Sequence, residues 1–366
     1  MLPSLQSTTP EQLQSQLSQW DQPSYRSQQI LDWVYCKHVA SVDEMLNCPA
    51  SLRNQLRSAY RLGLPGCEQV QGSADTTRKY LWRLEDGAMV ESVLIPANPA
   101  LYGEASDRHT LCVSTQVGCA YGCRFCASGL EGWKRNLEVH EIVGQLLAVE
   151  SHCAQELNTG QDRKVNNLVI MGMGEPLANY DHLMRALQII NAPWGCQIGA
   201  RKITISTSGL VPQIEQLARQ PIQYRLAISL HGATDEVRSQ IMPINRKYPL
   251  ATLMQACERY VQEKGKMITF EYILIEGVND GLDQVAPLAN WAQRLHAKVN
   301  LIPYNQVDGL QWKRPELAVQ EAFLKGLLNT GIKATLRREK GHDIDAACGQ
   351  LRLKVQREAP QPGTAV

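Results

Sequence analysis

The sequence lacks a strong net charge, a long apolar run and an export signal. Among its 366 residues, 37 Lys and Arg stand against 36 Asp and Glu, so the formal net charge is only +1. That balance excludes a polybasic nucleic-acid binder but allows a local basic patch. The apolar runs, such as LVIMGM from Leu168, fall far short of a membrane-spanning helix of roughly 20 residues. The polar N-terminal residues lack the charged-then-apolar pattern of a signal peptide, so we expect a cytoplasmic protein with no membrane segment.

A disulfide framework is also missing from the pattern, although cysteines are numerous. The chain has eleven Cys, an odd number, and no secretion signal, which argues against paired structural disulfides. We expect metal binding or catalysis to explain some of them, and burial as small apolar side chains to explain the others. Because 44% of the residues are hydrophobic, the chain can bury a large core in two or three domains, or in one large domain with an accessory piece.

The first hundred residues are predicted to form a small helical module. A capping box begins a first helix at Thr9, and a second capping box lies at Ser41. A later helix carries basic residues one turn apart, namely Arg53, Arg57 and Arg61. This basic stripe is either a solvated helix face or a small phosphate-contacting surface. The module ends in a β-hairpin, which is predicted from the alternating residues 77–96 and the Asp-Gly pair within them.

From about residue 107, short strand-like runs alternate with helix-length stretches. The runs begin at residues 110, 167, 202, 225, 268, 298 and 332. Repeated strand–helix units predict parallel strands joined by right-handed crossovers, and six or seven units suit a full or partial (β/α) barrel. The chemistry of such barrels lies at the C-terminal ends of the strands. Small or polar residues cluster at those ends, at 172–175, 206–209, 229–232 and 304–305.

Three cysteines follow the first barrel strand with the spacing C-x3-C-x2-C: Cys119, Cys123 and Cys126. Zinc sites need four ligands and usually pair cysteines as two C-x2-C units, whereas this run offers three thiolates and no obvious fourth ligand. A [4Fe–4S] cluster held by three thiolates has one iron without a protein ligand, and that iron can bind a small molecule. The spacing therefore favours such a cluster, with a zinc knuckle as the alternative.

These motifs resemble the radical S-adenosylmethionine (SAM) superfamily, and within it the RlmN/Cfr-type RNA methyltransferases. The matching strings span about residues 20–352 in the family's order: CVSTQVGC from Cys112, MGMGEPL from Met171, ISTSG from Ile205, SLH from Ser229, MPIN from Met242, GVND from Gly277 and DIDAACGQL from Asp343. The resemblance implies an α/β fold, a partial (β/α) barrel of the radical SAM type with a small helical N-terminal accessory domain. The accessory domain would span 1–100, the core with a C-terminal methyl-carrier segment 101–356, and a disordered tail 357–366.

The resemblance implies a radical reaction at an adenine carbon. Adenine C2 lies between two ring nitrogens and is a poor nucleophile, so direct attack on the SAM methyl group is excluded. The family uses one [4Fe–4S] cluster per chain and two SAM molecules per turnover. One SAM would methylate Cys348, and the other would yield a 5′-deoxyadenosyl radical that takes a hydrogen from this S-methyl group. The methylene radical would add to C2, Glu91 would accept the C2 proton, and Cys112 would attack the Cys348 sulfur, forming a disulfide and freeing the product.

Taken alone, these three residues have plainer interpretations. An isolated cysteine such as Cys112 or Cys348 is more often a buried structural residue. From the sequence alone, Glu91 is interpreted as a glutamate on an edge strand of the sheet. The resemblance also implies SAM contacts at Gly174, Glu175, Ser206, Ser229, Leu230, His231 and Asn305, several of which would otherwise read as turn or structural residues. The segment 133–135, Trp-Lys-Arg, suits a flipped base and its phosphates, or is a loop with exposed charge.

The resemblance implies 23S rRNA and tRNA as substrates, with roles in rRNA and tRNA processing, and a flavodoxin or ferredoxin-type reductant; we expect a monomer. The strings that start at Met171 and Ile205 favour methylation at adenine C2 over methylation at C8, as in the Cfr branch. A non-catalytic Fe–S RNA-binding protein is an alternative of another class. Such a protein would need the cluster motif but neither Cys112 nor Cys348.

Overall fold

The computed structural model describes most of the chain, in the ranges 2–97, 107–130, 132–157, 164–265, 267–307 and 309–337 and at residue 351. Cys348 and the predicted tail 357–366 lie outside the described residues. Among the described residues, no helix has the length and apolar character needed to cross a membrane.

The N-terminal module contains the helices α1 (Pro10–Gln19), α2 (Tyr25–Tyr35) and α3 (Ala50–Ala59). The predicted capping box at the start of α1 is confirmed, because the Thr9 hydroxyl accepts from the Gln12 N–H and the Gln12 side chain accepts from the Thr9 N–H. The second box, at Ser41, begins a short 3₁₀ turn. Apolar side chains from the three helices are buried against each other, including Leu13, Leu17, Ile30, Leu31, Leu52 and Leu56.

The predicted basic stripe is only partly helical, because α3 ends at Ala59 and Arg61 lies beyond it, and its residues are occupied by protein contacts. Arg57 forms an ion pair with Asp43, and Arg61 forms one with Glu85. Arg53 donates to the Asp43 carbonyl at 3.4 Å. These contacts favour the solvated-face interpretation, since two of the three guanidinium groups already have carboxylate partners.

A ten-stranded sheet forms the body of the described structure. Its strands, in sheet order, are β1 (Gly66–Gly72), β2 (Arg78–Arg83), β3 (Met89–Pro96), β4 (His109–Cys112), β7 (Asn167–Ile170), β8 (Ile203–Thr207), β9 (Arg225–Ser229), β10 (Thr269–Leu274), β11 (Lys298–Pro303) and β12 (Ala334–Leu336). The first four strands pair antiparallel, and every pair from β4 to β12 is parallel. A separate hairpin joins β5 (Gln116–Gly118) to β6 (Trp133–Asn136).

Helices follow the parallel strands: α4 (Val139–Leu157), α5 (Tyr180–Asn191), α6 (Val211–Ala218), α7 (Asp235–Ile241), α8 (Leu250–Lys264), α9 (Val285–Arg294) and α10 (Leu317–Asn329). The seven predicted strand runs are all present, as β4 and β7 to β12. Side chains from β3 through β11 line one cavity, so the sheet curves around it. Within the described residues β1 and β12 remain its two unpaired edges. The predicted partial (β/α) barrel with a helical N-terminal module is confirmed; its domain boundaries stay predictions.

The predicted hairpin is confirmed and continues the barrel sheet. In β2 and β3, Leu81 opposes Glu91, and in β3 and β4, Val93 opposes Cys112. Strand β3 therefore lies inside the sheet, between β2 and β4. The interpretation of Glu91 as an edge-strand residue is wrong, because a strand with neighbours on both sides has no free edge.

Candidate active site

A cavity of about 340 Å³ opens at the C-terminal ends of the barrel strands. Of the predicted site residues, it is lined by Cys112, Cys119, Cys123, Cys126, Gly174, Glu175, Ser206, Ser229, His231 and Asn305. These residues come from different strands and loops, so the fold brings together side chains that lie far apart in the sequence. Glu91 and Leu230 do not line this cavity, and Cys348 is outside the described residues.

The β5–β6 hairpin holds the loop that carries the three clustered cysteines. Gly118 has φ +76°, and a Cβ at this position would lie 1.9 Å from the Gly132 carbonyl oxygen. The same carbonyl accepts a hydrogen bond from the Cys119 N–H at 3.1 Å. The Cys126 N–H then donates to the Cys123 carbonyl at 3.1 Å, which turns the chain back on itself. Only glycine fits where the two strands of the hairpin approach so closely.

The three thiols lie in a poorly solvated environment. Burial raises the pKa of Cys123 well above its usual range, and the neighbouring Cys126 and Cys119 raise it further. Burial likewise raises the pKa of Cys119 to about 12. Thiolates placed here need a strongly positive partner, because the site itself disfavours their negative charge.

The donor set fits an iron–sulfur cluster. Among the described residues, no three His, Cys, Asp or Glu side chains converge in the geometry of a single-ion site. The thiols of Cys119, Cys123 and Cys126 instead lie along one wall of the cavity. In a polynuclear cluster each thiolate can bind a different iron, so the three sulfurs need not meet at one point.

Gly174 and Glu175 shape the wall after β7. Gly174 has φ +101°, and an added Cβ would lie 2.5 Å from the Gln116 Cβ. The Glu175 carboxylate accepts from the Leu177 N–H at 3.0 Å and from the Ser208 N–H at 2.7 Å. Burial raises the pKa of Glu175, while these hydrogen bonds oppose the shift. The result is a fixed carboxyl group at the cavity wall, suited to accept from an ammonium donor.

The ends of β8 and β9 add two hydroxyl groups and an imidazole. The Ser206 and Ser229 hydroxyl oxygens lie 3.4 Å apart. His231 is buried at φ +55°, and its Nδ1 accepts from the Ile273 N–H at 3.0 Å, so the ring proton resides on Nε2. Burial lowers the pKa of His231 to about 3, and the Arg238 charge adds to this effect. The imidazole is therefore neutral at physiological pH. Its Nε2–H can donate a hydrogen bond, but the ring carries no second proton that it could transfer.

Arg238, which sequence reasoning missed, ties the loops around the cavity together. Its fully buried guanidinium donates to the Leu230 carbonyl at 3.0 Å, to Asn245 Oδ1 at 2.7 Å and to the Ser208 carbonyl at 2.6 Å. Burial lowers its pKa to about 10, so it stays charged at neutral pH. Leu230 thus serves this framework through its backbone, and its predicted SAM contact stays a prediction. Asn245, the last residue of the MPIN string, is one of the partners of this arginine.

Cys112 and Glu91 share one face of the sheet. Cys112 ends β4, is buried and lines the cavity. Its partner in β3 is Val93, and Glu91 points to the same face two residues earlier. Lys79 Nζ lies 3.0 Å from Glu91 Oε2, and both side chains are buried. Among the residues that the structure describes, no two cysteines are joined to each other by a disulfide.

The Trp-Lys-Arg segment of β6 divides between two roles. Trp133 is half exposed beside the cluster loop. Arg135, in contrast, donates to Asp86 at 2.7 Å and to both oxygens of Glu141 at 2.7 and 2.8 Å. The arginine is therefore committed to joining the β2–β3 turn to helix α4, whereas the tryptophan ring is accessible from solvent.

Comparisons with protein families match both parts of the chain. A family described as the radical SAM superfamily matches residues 113–289. A second family, described as the ribosomal RNA large subunit methyltransferase N-terminal domain, matches residues 4–62. The first match covers the barrel from the end of β4 into helix α9, and the second covers the helical module.

Comparisons with individual proteins extend over nearly the whole chain. A protein named "Probable dual-specificity RNA methyltransferase RlmN" from Akkermansia muciniphila is 52% identical, over 98% of this chain and 97% of its own length. A similarly named protein from Opitutus terrae is 53% identical, over 97% and 96%. Among solved structures, this chain is similar to the crystal structure of a radical SAM methyltransferase from Sphaerobacter thermophilus, with a TM-score of 0.88 and 42% sequence identity. The match covers 95% of this chain and 98% of that chain.

Proposed function

Since this chain belongs to the RlmN family of the radical SAM superfamily, we propose that it methylates C2 of an adenosine in 23S rRNA and of an adenosine next to the anticodon of tRNA. The names of relatives more than half identical to it support action on two kinds of RNA. The MGMGEPL and ISTSG strings support C2 over C8. The observation that carries the proposal is the single cavity that joins the three clustered cysteines to Cys112 from another strand.

Cys119, Cys123 and Cys126 would hold one [4Fe–4S] cluster. When bound, the cluster supplies the electron that cleaves SAM reductively to methionine and a 5′-deoxyadenosyl radical. Glu175 would accept from the SAM ammonium, and Ser206, Ser229, His231 and Asn305 would contact the rest of the molecule. The cavity brings these groups together at the C-terminal ends of the barrel strands.

The carrier role of Cys348 is supported by a residue three positions along the chain. Leu351 is 1% exposed and packs with Leu81 and Met89 of the hairpin. Leu81 opposes Glu91 across β2 and β3, so the contact lies on the sheet face that also presents Cys112. Because Cys348 precedes Leu351 by three residues in the sequence, this contact supports a carrier that acts at this face.

In the proposed reaction the Cys348 thiolate attacks the methyl carbon of one SAM and takes the methyl group, and S-adenosylhomocysteine leaves. After hydrogen abstraction by the radical derived from the second SAM, the Cys348 methylene group forms a bond to adenine C2. Glu91 would accept the C2 proton, and the radical adduct would give up its one excess electron to the oxidised cluster held by Cys119, Cys123 and Cys126. The Cys112 thiolate would then attack the Cys348 sulfur: the S–CH₂ bond breaks, the released carbon takes up a proton to become the C2 methyl group, and a Cys112–Cys348 disulfide forms. A flavodoxin or ferredoxin-type protein would supply electrons to a monomeric enzyme.

An anaerobic assay tests the proposal. The reconstituted protein, SAM and a reductant are incubated with 23S rRNA and tRNA fragments, and the nucleosides are analysed by mass spectrometry. We expect 2-methyladenosine from both RNAs. Formation of 8-methyladenosine would place the enzyme in the C8 branch, and absence of 5′-deoxyadenosine would favour a non-catalytic Fe–S protein.

A further inference from the structure

A row of polar residues crosses four neighbouring strands at one level of the barrel wall. Ser229 of β9 lies in register with Glu271 of β10, Glu271 with Asn300 of β11, and Asn300 with Thr335 of β12. Residues in register on adjacent parallel strands point to the same side of a sheet. Sequence reasoning missed this row, because Glu271 sits inside the apolar run ITFEYILI.

Hydrogen bonds fix the orientation of the row. Thr335 Oγ1 donates to Asn300 Oδ1 at 3.1 Å, which turns the Asn300 NH₂ group away from Thr335. That NH₂ group donates to Glu271 Oε2 at 2.7 Å. The backbone carbonyl of Glu271 also accepts from the Leu230 N–H at 2.9 Å, which joins the row to the loop after β9. The Asn300 bond therefore positions the carboxyl group, and the Leu230 bond holds the backbone that carries it.

One carboxylate oxygen remains available to a ligand. Glu271 lines the cavity, and no side chain other than Asn300 donates a hydrogen bond to it among the residues that the structure describes. Its relative exposure is 8%, so bulk water contributes little to its solvation. Burial raises the pKa of Glu271, and the Asn300 bond and the Arg337 charge oppose that shift.

An apolar row lies directly above the polar one. Ile273 and Ile302 are paired in β10 and β11, two residues beyond Glu271 and Asn300, and both line the cavity. This wall thus offers a hydrogen-bond acceptor, the Glu271 carboxylate, and next to it the apolar side chains of Ile273 and Ile302. A nucleoside can match both features, because its ribose carries two hydroxyl donors and its base has an apolar face.

We propose that Glu271 accepts a hydrogen bond from a ribose hydroxyl of SAM and so positions its nucleoside against Ile273 and Ile302. The inference rests on the proposed function, which places SAM in this cavity. A carboxylate is a suitable acceptor for ribose hydroxyls, as in dinucleotide-binding folds. The neighbouring Ser229 hydroxyl, 3.4 Å from that of Ser206, belongs to the same polar surface. Asn300 acts as a positioning residue, through the carboxylate.

Equilibrium binding tests the inference without turnover. The cluster-reconstituted full chain is titrated anaerobically with SAM and with its 2′-deoxy and 3′-deoxy analogues, as wild type and as Glu271→Gln. We expect Glu271→Gln to weaken SAM binding about tenfold, the effect of losing one hydrogen bond to a charged group. For the analogue that lacks the contacted hydroxyl, wild type and variant should bind equally. Glu276→Gln, an exposed glutamate five residues later, is the matched control and should bind like wild type.

Each other outcome identifies what is wrong. If Glu271→Gln binds SAM as tightly as wild type, or loses affinity equally for all three ligands, the ribose contact is refuted while the proposed function stands. If the KM for RNA rises and SAM affinity is unchanged, the carboxylate serves the target adenine instead. If wild type does not bind SAM, the proposed function itself fails. If Glu271→Gln does not fold, Thr335→Val on the outer strand provides a second test, because it removes the hydrogen bond that orients Asn300. This variant should weaken the binding of SAM, but not the binding of the analogue that lacks the contacted hydroxyl. An unchanged affinity for SAM would contradict the inference.

Discussion

Single side chains decide the proposed chemistry, and the two distant cysteines do so most sharply. Cys348→Ala has no sulfur to carry the methyl group, so it should be inactive and form no covalent RNA complex. Cys112→Ala can still form the bond between Cys348 and adenine but has no thiolate to break it. We expect this variant to accumulate a protein–RNA species that shifts on a denaturing gel after RNase treatment and resists added thiol.

The double variant Cys112→Ala/Cys348→Ala provides the control for this species. Without Cys348 the shifted band should disappear, because the link is a thioether to that sulfur. Normal turnover by Cys112→Ala, or a linked species that persists in the double variant, would refute the assigned roles even within this family.

His231 links the site to the stability of the fold. Burial lowers its pKa to about 3 in the folded protein, whereas an unfolded chain takes up the proton near its usual value of about 6.5. The neutral form is favoured by folding, so this contribution is fully present above about pH 6.5 and is lost as the pH falls towards 3. At pH 5 the loss is about 2 kcal/mol. We expect His231→Gln to flatten the decrease in unfolding free energy between pH 7 and pH 5, measured by urea titration; equal slopes would contradict this.

The site could be predicted from the sequence only where its residues sit in strings with a recognisable spacing. The clustered cysteines and the strand-end residues had such strings, and ten of the predicted side chains line the cavity. Arg238 lies within a short amphipathic helix and Glu271 within an apolar strand, where a charged residue has no local signature. Their importance comes from burial and partners, which only the tertiary structure supplies.

At the scale of elements, the β5–β6 hairpin controls the geometry of the cluster loop. Gly118→Ala would place a methyl group on the Gly132 carbonyl and force the strands apart. We expect the variant to incorporate much less iron, measured as iron per chain after anaerobic reconstitution. Gly122→Ala is the matched control, because Gly122 has φ +58° but no atom within 4 Å of an added Cβ. It should cost about 1 kcal/mol of stability and keep its iron; similar iron in both variants would refute the steric argument.

Elements were predictable where burial imposes a pattern. Strands β4 and β7 to β12 were predicted, because apolar side chains recur in short runs between helices. Strand β1 was missed, since its side chains are mostly exposed and GCEQVQG has neither alternation nor an apolar run. Strands β5 and β6 were missed because they have three and four residues and a bulge between Val117 and Gly118.

At the scale of the whole molecule, the hairpin and the barrel share one sheet, and Leu351 is attached to the hairpin. Leu351→Ala should remove the contact with Leu81 and Met89 while leaving the cavity intact. We expect slower RNA methylation, by about tenfold, with an unchanged iron content and unchanged SAM affinity. The control is Leu328→Ala, an exposed leucine on helix α10, which should change none of these quantities. An equal loss of SAM affinity would show that Leu351 supports the cavity and not the carrier.

The covalent connection of Cys348 to the cavity also sets an effective concentration. Arg337 lines the cavity and Leu351 is fixed on the hairpin only 14 positions later. Under the proposed function, Cys348 acts from the same chain as the cavity, so its thiol would meet SAM, adenine and Cys112 at an effective concentration, on the order of millimolar, that is set by the covalent connection and not by diffusion from solution. Free thiols in solution would have to reach comparable concentrations to compete with it.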